Sequence, residues 1–141
     1  MMRSFRSLLT AGAVAAAATG SMLAVATPAT AATCTNNGPF SFKREVMETY
    51  STIYAYRGAN CPGNYISFGR ITLIDSGNVR MYAYDRACDS TGLTVRTASG
   101  LSLASTGCGT TAQRTVSRSS TGSYFYVSVG GYLSATNPVP A

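Results

Sequence analysis

From Phe40 onward the chain repeatedly alternates apolar and polar residues with a period of two, the pattern of half-buried β-strands. No part of residues 32–141 keeps a helical period over three turns. Clusters of Gly, Asn, Ser and Asp interrupt the alternation at intervals of roughly ten residues, which is typical of an all-β sandwich or barrel. We therefore predict a small, disulfide-stapled antiparallel β-sandwich or barrel of about 7–8 short strands. The predicted strands cover residues 40–46, 49–57, 65–74, 79–84, 93–98, 101–104, 112–118 and 123–129.

The end of the chain does not fit this pattern. Residues 137–140 read Asn-Pro-Val-Pro, and proline has no N–H with which to extend a ladder. We predict a loose tail there.

Strand alternation also assigns side chains to faces. In the last predicted strand Phe125, Val127 and Val129 alternate with tyrosines, so the aliphatic set is expected to face the core. Three strands present a Tyr-x-Tyr pair opposite an aliphatic row in this way. Tyrosine combines an apolar ring with a polar tip and has only two side-chain torsions, which suits a binding surface. The alternative is that these tyrosines are strand formers at half-buried or core positions.

A segment with targeting features precedes the strands. Arg3 and Arg6, an alanine-rich stretch over 8–26 and the small-x-small motif at 29–31 follow one another as in a secretory signal peptide. The composition resembles the signal peptides of high-GC Gram-positive bacteria. We expect cleavage after Ala31 and a single β domain over 32–141, secreted to the extracellular space and free of the membrane. A retained membrane helix and a lipoprotein modified at Cys34 are the alternatives.

Charge places few constraints on the partner. The whole chain carries a net charge of +6, and removal of Arg3 and Arg6 leaves +4. The basic residues are scattered, with no run longer than Lys43-Arg44, so we expect no dedicated nucleic-acid surface. A weak attraction to anionic polymers stays open.

Missing residue types exclude most enzyme chemistry. The chain has no histidine, which excludes Ser-His-Asp and Cys-His catalysis and histidine-ligated zinc. We expect no cofactor and no metal. The carboxylates are predicted to be solvated turn and edge charges, which leaves a small carboxylate-dependent hydrolase as a distant alternative. They are Glu45, Glu48, Asp75, Asp85 and Asp89.

The four cysteines are expected to form two disulfides, because an exported domain of this size gains stability from closed loops. Cys88 and Cys108 lie almost symmetrically about the predicted turn at 99–100, and Cys34 and Cys61 lie similarly about residues 48–49. The paired ends of a hairpin approach within disulfide distance. Sequential pairing is therefore favoured over the two other connectivities.

Two sequential disulfides on a small secreted β protein are similar to the architecture of tendamistat-type α-amylase inhibitors of actinomycetes. That family carries a Trp-Arg-Tyr turn, whereas this chain has no tryptophan and its nearest match is Ala55-Tyr56-Arg57. The resemblance covers architecture alone, so no activity or site residue follows from it.

These observations favour a secreted, non-enzymatic binding protein that acts at the cell surface or on an extracellular glycan or protein. The alternative is a proteinaceous inhibitor of an extracellular hydrolase that presents a turn near Arg57 or Arg86. Clustered tyrosines on a flat sheet would favour the first function. The candidate binding residues are Tyr54, Tyr56, Arg80, Tyr82, Tyr84, Tyr124 and Tyr126.

Overall fold

The computed structural model describes residues 33–141, so the predicted signal peptide lies outside the described residues. Within this range the chain is all-β and forms two antiparallel sheets in a sandwich-like arrangement, which confirms the predicted fold class. A short 3-10 turn at Arg118–Ser120 is the one helical element there. The strands are β1 (Cys34–Asn37), β2 (Phe40–Val46), β3 (Tyr50–Arg57), β4 (Ser67–Leu73), β5 (Asn78–Asp85), β6 (Leu93–Thr97), β7 (Ser102–Ala104), β8 (Thr111–Ser117), β9 (Tyr124–Val129), β10 (Tyr132–Leu133) and β11 (Asn137–Pro138).

The strand order separates the domain into two layers. Strands β1 to β5 follow one another as antiparallel neighbours, and β8 pairs with β5 to complete the first, six-stranded sheet. The second sheet has the order β10-β9-β6-β7, and β11 also pairs with β9. The eight predicted strands agree with β2 to β9, with ends that differ by at most two residues. The short strands β1, β10 and β11 were not predicted.

The core lies between the two sheets and consists of the inward residues of the alternating pattern. Gly69 of β4 lies at a close contact between the two sheets. A Cβ atom at Gly69 would lie 2.6 Å from a methyl carbon of Val95 and 2.6 Å from one of Val127, both on the second sheet. The residue must therefore be glycine for the sheets to pack this closely. The largest fully buried apolar side chains are Phe42, Ile53, Ile71, Val79, Met81, Leu93, Val95, Phe125, Val127 and Val129.

The C-terminal segment is not a loose tail, and that prediction was wrong. Asn137 is 1% exposed, and its Nδ2 donates hydrogen bonds to the backbone oxygens of Glu45 and Thr52, each at 3.1 Å. The N–H of Val139 donates to the oxygen of Ser123 at 3.0 Å. Proline cannot donate in a ladder, but the Asn137 side chain and the Val139 N–H can, and here they join the C-terminal segment to both sheets.

Two disulfides are present: the first joins β1 to the loop after β3, and the second joins the loop after β5 to the loop before β8. They link Cys34 to Cys61 and Cys88 to Cys108, which is the sequential connectivity favoured by the sequence, and no cysteine within residues 33–141 is free. Bridges that close loops of this length each stabilise a domain by about 3 kcal/mol, largely through the unfolded chain.

The role of the C-terminal segment can be tested at Asn137. Replacing it with alanine removes both donors from buried carbonyl oxygens, and we expect the free energy of unfolding to fall by about 1–3 kcal/mol. Urea unfolding with the disulfides intact measures the change. The neighbouring, exposed Thr136→Ala is the control and should lie within about 0.5 kcal/mol of the wild type. Equal stabilities of the two variants would contradict the assigned role.

Candidate functional site

A continuous row of aromatic rings crosses the outer face of the six-stranded sheet. Tyr54, Phe68 and Tyr84 are register partners on β3, β4 and β5, and the sheet pleat points all three away from the core. The centroid of the Phe68 ring lies 5.9 Å from that of Tyr54 and 5.3 Å from that of Tyr84. Tyr65, from the segment before β4, adds a fourth ring at 5.2 Å from Tyr54 and 5.8 Å from Phe68. We call these four residues the aromatic row.

The rings of the aromatic row are neither core nor fully exposed. All four side chains are half-buried, and neighbouring planes are tilted by 42° to 75°. Centroid distances of this size with tilted planes are the favoured geometry of aromatic pairs. Burial raises the pKa of the Tyr54 hydroxyl, and the negative charge of Glu45 raises it further, while Arg70 opposes both effects. The row is a partly desolvated, mutually supported surface.

Arginine side chains border the aromatic row. The guanidinium carbon of Arg70 lies 4.7 Å from the centroid of the Tyr50 ring and 5.2 Å from that of Phe68. Arg86 lies 5.4 Å above the Tyr65 ring and donates a hydrogen bond to the Tyr65 backbone oxygen at 3.3 Å. Such cation–π contacts fix the orientation of the cations relative to the rings.

Tyr56 occupies the same outer face but is only 8% exposed. The loop that carries Cys61 folds over this end of the sheet, and the Cys61 N–H donates to Oγ of Ser41, the register partner of Tyr56. Burial raises the pKa of the Tyr56 hydroxyl, and Tyr65 adds a smaller contribution in the same direction. The expectation that Tyr56 would be an accessible binding residue was therefore wrong.

The remaining predicted site residues divide between the two sheets. Arg80 and Tyr82 lie on the outer face of β5, on the same surface as Tyr54 and Tyr84. Tyr124 and Tyr126 point outward as predicted, but from β9 of the second sheet. The structure does not bring them together with the other tyrosines, because the outer faces of the two sheets lie on opposite sides of the core.

Sequence reasoning missed Tyr65, Phe68 and Arg70. Phe68 and Arg70 alternate with Gly69 and Ile71, and this period of two places them on the outer face. Glycine interrupts the aliphatic row that identified the inward face in the other strands, so the alternation in β4 is less evident. Tyr65 was predicted to begin this strand, but it lies in the segment before β4, where strand alternation does not determine the direction of its side chain.

A separate cavity of about 420 Å³ lies beside the second disulfide, between the loop that follows β5 and the one that follows β7. Asp85 is the one carboxylate that lines it, is 6% exposed, and has an Oδ1 atom without a hydrogen-bond partner among the described residues. The prediction of a solvated turn charge was wrong for Asp85, because its side chain faces inward at the end of β5. Burial raises the pKa of Asp85, and the negative charge of Asp89 raises it further.

Asp89 does not join Asp85 in the cavity. Its carboxylate forms an ion pair with Arg57 and accepts the N–H of Thr91 at 3.0 Å. A hydrolytic site of two carboxylates needs both groups in one cleft. The cavity therefore lacks the arrangement that such a hydrolase requires.

No protein-family model, curated protein or solved structure matches this chain. Residues 33–141 contain no group of three or more potential metal ligands, and they contain no helix that is long and apolar enough to cross a membrane.

The buried state of Asp85 makes a prediction about pH. A raised pKa means that the folded protein binds this proton more tightly than the unfolded chain does. The contribution of this carboxyl to the free energy of unfolding therefore decreases as the pH rises through its titration. In Asp85→Asn this contribution is absent. We expect the melting temperature of the variant, relative to wild type, to increase as the pH is raised from about 3 to about 7. A difference that is constant or decreases over this range would contradict the assignment.

Proposed function

We propose that this protein is a secreted, non-enzymatic protein that binds an extracellular glycan through the aromatic row. The observation that carries the proposal is the unbroken contact of Tyr54, Tyr65, Phe68 and Tyr84 across three neighbouring strands. A row of half-exposed rings on a sheet gives an extended surface, and extended ligands such as polysaccharides match that shape.

The chemistry of the rings favours a sugar. The C–H face of a pyranose ring is apolar and packs on an aromatic side chain, while its hydroxyls need polar partners around the contact. Phenol oxygens are present within the row, and Arg70 and Arg86 border it. A surface of this kind combines apolar contact with the hydrogen-bond donors that fix a sugar in one orientation.

Rigidity also favours binding. Each ring of the row contacts at least one other ring, and Phe68 contacts three, so their positions are largely fixed before a ligand arrives. Preorganised side chains lose little conformational entropy on association. Three of the four rings lie on strands of the sheet, which holds residues more firmly than a loop would.

Inhibition of an extracellular hydrolase is the alternative function, and the turns proposed for it give less support. Arg57 is engaged by Asp89, and Arg86 lies over the Tyr65 ring. Inhibitors commonly dock a protruding loop whose central side chain enters the pocket of the enzyme. Both arginines are instead held against their own domain, which favours the sheet face as the binding surface.

The proposal is tested by removing two rings of the row. We expect Phe68→Ala with Tyr84→Ala to weaken binding to the retained polysaccharide at least about thirtyfold, because truncated interface aromatics commonly cost about 2 kcal/mol or more. Affinity is measured on a panel of purified polysaccharides and washed bacterial cell walls, and thermal melts of the same proteins verify folding.

The second sheet provides the matched control. Tyr124→Ala with Tyr126→Ala also removes two outward rings, but from β9. This variant should bind within about twofold of the wild type, as expected for residues outside an interface. Retention of no polysaccharide by the wild type, or a larger loss in the β9 variant, would overturn the proposal.

A further inference from the structure

Two arginines lie on the outer face that carries the aromatic row. Arg70 on β4 is directly opposite Tyr82 on β5, and Arg80 on β5 is directly opposite Thr72. The two arginines are therefore diagonal neighbours on the same outer face, a relation that places Cα atoms about 7–8 Å apart. Their side chains turn apart, because the Arg70 guanidinium contacts Thr52 on β3 and that of Arg80 contacts Thr115 on β8, so the two charges lie at separate positions along the face.

Each of the two side chains is held by a hydrogen bond from its own Nε atom. Nε of Arg70 donates to Oγ1 of Thr52 at 2.8 Å, and Nε of Arg80 donates to Oγ1 of Thr115 at 3.1 Å. These bonds use the inner nitrogen of each guanidinium group and involve neutral hydroxyls. The terminal nitrogens of Arg80 have no hydrogen-bond partner within residues 33–141, and those of Arg70 have the Tyr54 hydroxyl beside them. The two groups are oriented without being neutralised.

The outer face of the six-stranded sheet has fewer acidic than basic strand residues. Glu45 is the one carboxylate among the strand residues of this face, and its Oε1 accepts a long hydrogen bond from the Tyr54 hydroxyl at 3.5 Å. The ion pair of the described residues joins Arg57 to Asp89 and involves neither arginine of the pair. Both Arg70 and Arg80 are half-buried, so their charges are less screened than those of fully exposed side chains. An anionic ligand would supply the missing counter-charge.

We infer that the glycan bound by the aromatic row is an acidic polysaccharide whose sugar rings carry carboxylates, and that Arg70 and Arg80 bind carboxylates at separate positions along one ligand chain. This inference rests on the proposed function. Guanidinium groups match the planar, two-oxygen geometry of a carboxylate. The contacts of Phe68 with Arg70 and Tyr84 favour this class of anion. A ligand that covers these residues meets aromatic rings and a positive charge together, so it needs a ring and a negative charge within the same stretch. A polyuronate has both, whereas an inorganic polyphosphate has no ring to stack.

The test compares one sugar backbone with and without charge. Oligogalacturonate is the anionic probe, and its fully methyl-esterified form is the neutral one. We expect the wild type to bind the anionic probe at least about tenfold more tightly than the ester, a preference that decreases as salt is raised. Arg70→Gln with Arg80→Gln should remove this preference, so that the variant binds the two probes with affinities within about twofold of each other.

A charge-matched variant controls for net charge. Arg96→Gln with Arg114→Gln also removes two positive charges. Both residues are at exposed positions that are not on the outer face of the six-stranded sheet. It should keep the preference for oligogalacturonate. Loss of the preference in this control to the same degree as in the Arg70, Arg80 variant would overturn the inference.

The remaining outcomes separate the inference from the proposed function. If the aromatic variant loses the ester while the Arg70, Arg80 variant binds both probes like the wild type, the face binds glycans but the anionic specificity is wrong. Binding of inorganic polyphosphate as tight as that of oligogalacturonate would overturn the requirement for sugar rings. If the wild type binds neither galacturonate probe, the inference fails, and the polysaccharide panel decides the proposed function separately.

Discussion

The close packing of the two sheets at Gly69 is the constraint on which the rest of the domain depends. Methyl groups of Val95 and Val127 occupy the space that a side chain at this position would need. The inner face of β4 therefore packs in the core. Because side chains alternate along a strand, Phe68 and Arg70 lie on the opposite face. The outward positions of Phe68 in the aromatic row and of Arg70 beside it therefore result from the packing of β4, in which only glycine fits at position 69.

The periphery of the domain supports this arrangement. The C-terminal segment fixes the second sheet to β2 and β3 through the Asn137 side chain. At one edge of the six-stranded sheet, Arg114 of β8 lies on the inward side of the strand yet is exposed. An inward charge on an edge strand opposes pairing with another chain, so the edge of β8 is poorly suited to recruiting a partner strand. The outer face of the six-stranded sheet, rather than this edge, is the surface that we propose for the ligand.

The alternation of the sequence was sufficient to predict eight strands and, for three of them, the inward and outward faces. It could not predict β10 and β11, because two-residue strands contain no period and depend on pairing with β9. It also could not decide which tyrosines share a surface. That depends on long-range pairing, since β9 joins β6 while β3 and β5 flank β4.

The exposure of single side chains required tertiary contacts as well. Tyr56 and Tyr54 lie on the same face in the period-two pattern. The loop that carries Cys61 nevertheless covers Tyr56 and leaves Tyr54 accessible. The sequence predicts that Asp85 is a turn carboxylate, yet it lies at the last inward position of β5 and is buried. In both cases the deciding contact comes from residues distant in the chain.

The central claim is that ligands bind on the outer face of the six-stranded sheet, and aromatic NMR tests it most directly. Tyrosine and phenylalanine ring resonances are assigned and followed during titration with oligogalacturonate. We expect shifts or broadening at Tyr54, Tyr65, Phe68 and Tyr84, with the rings of Tyr124 and Tyr126 unchanged. Perturbation confined to Tyr124 and Tyr126, or to residues that line the cavity beside Asp85, would contradict the claim.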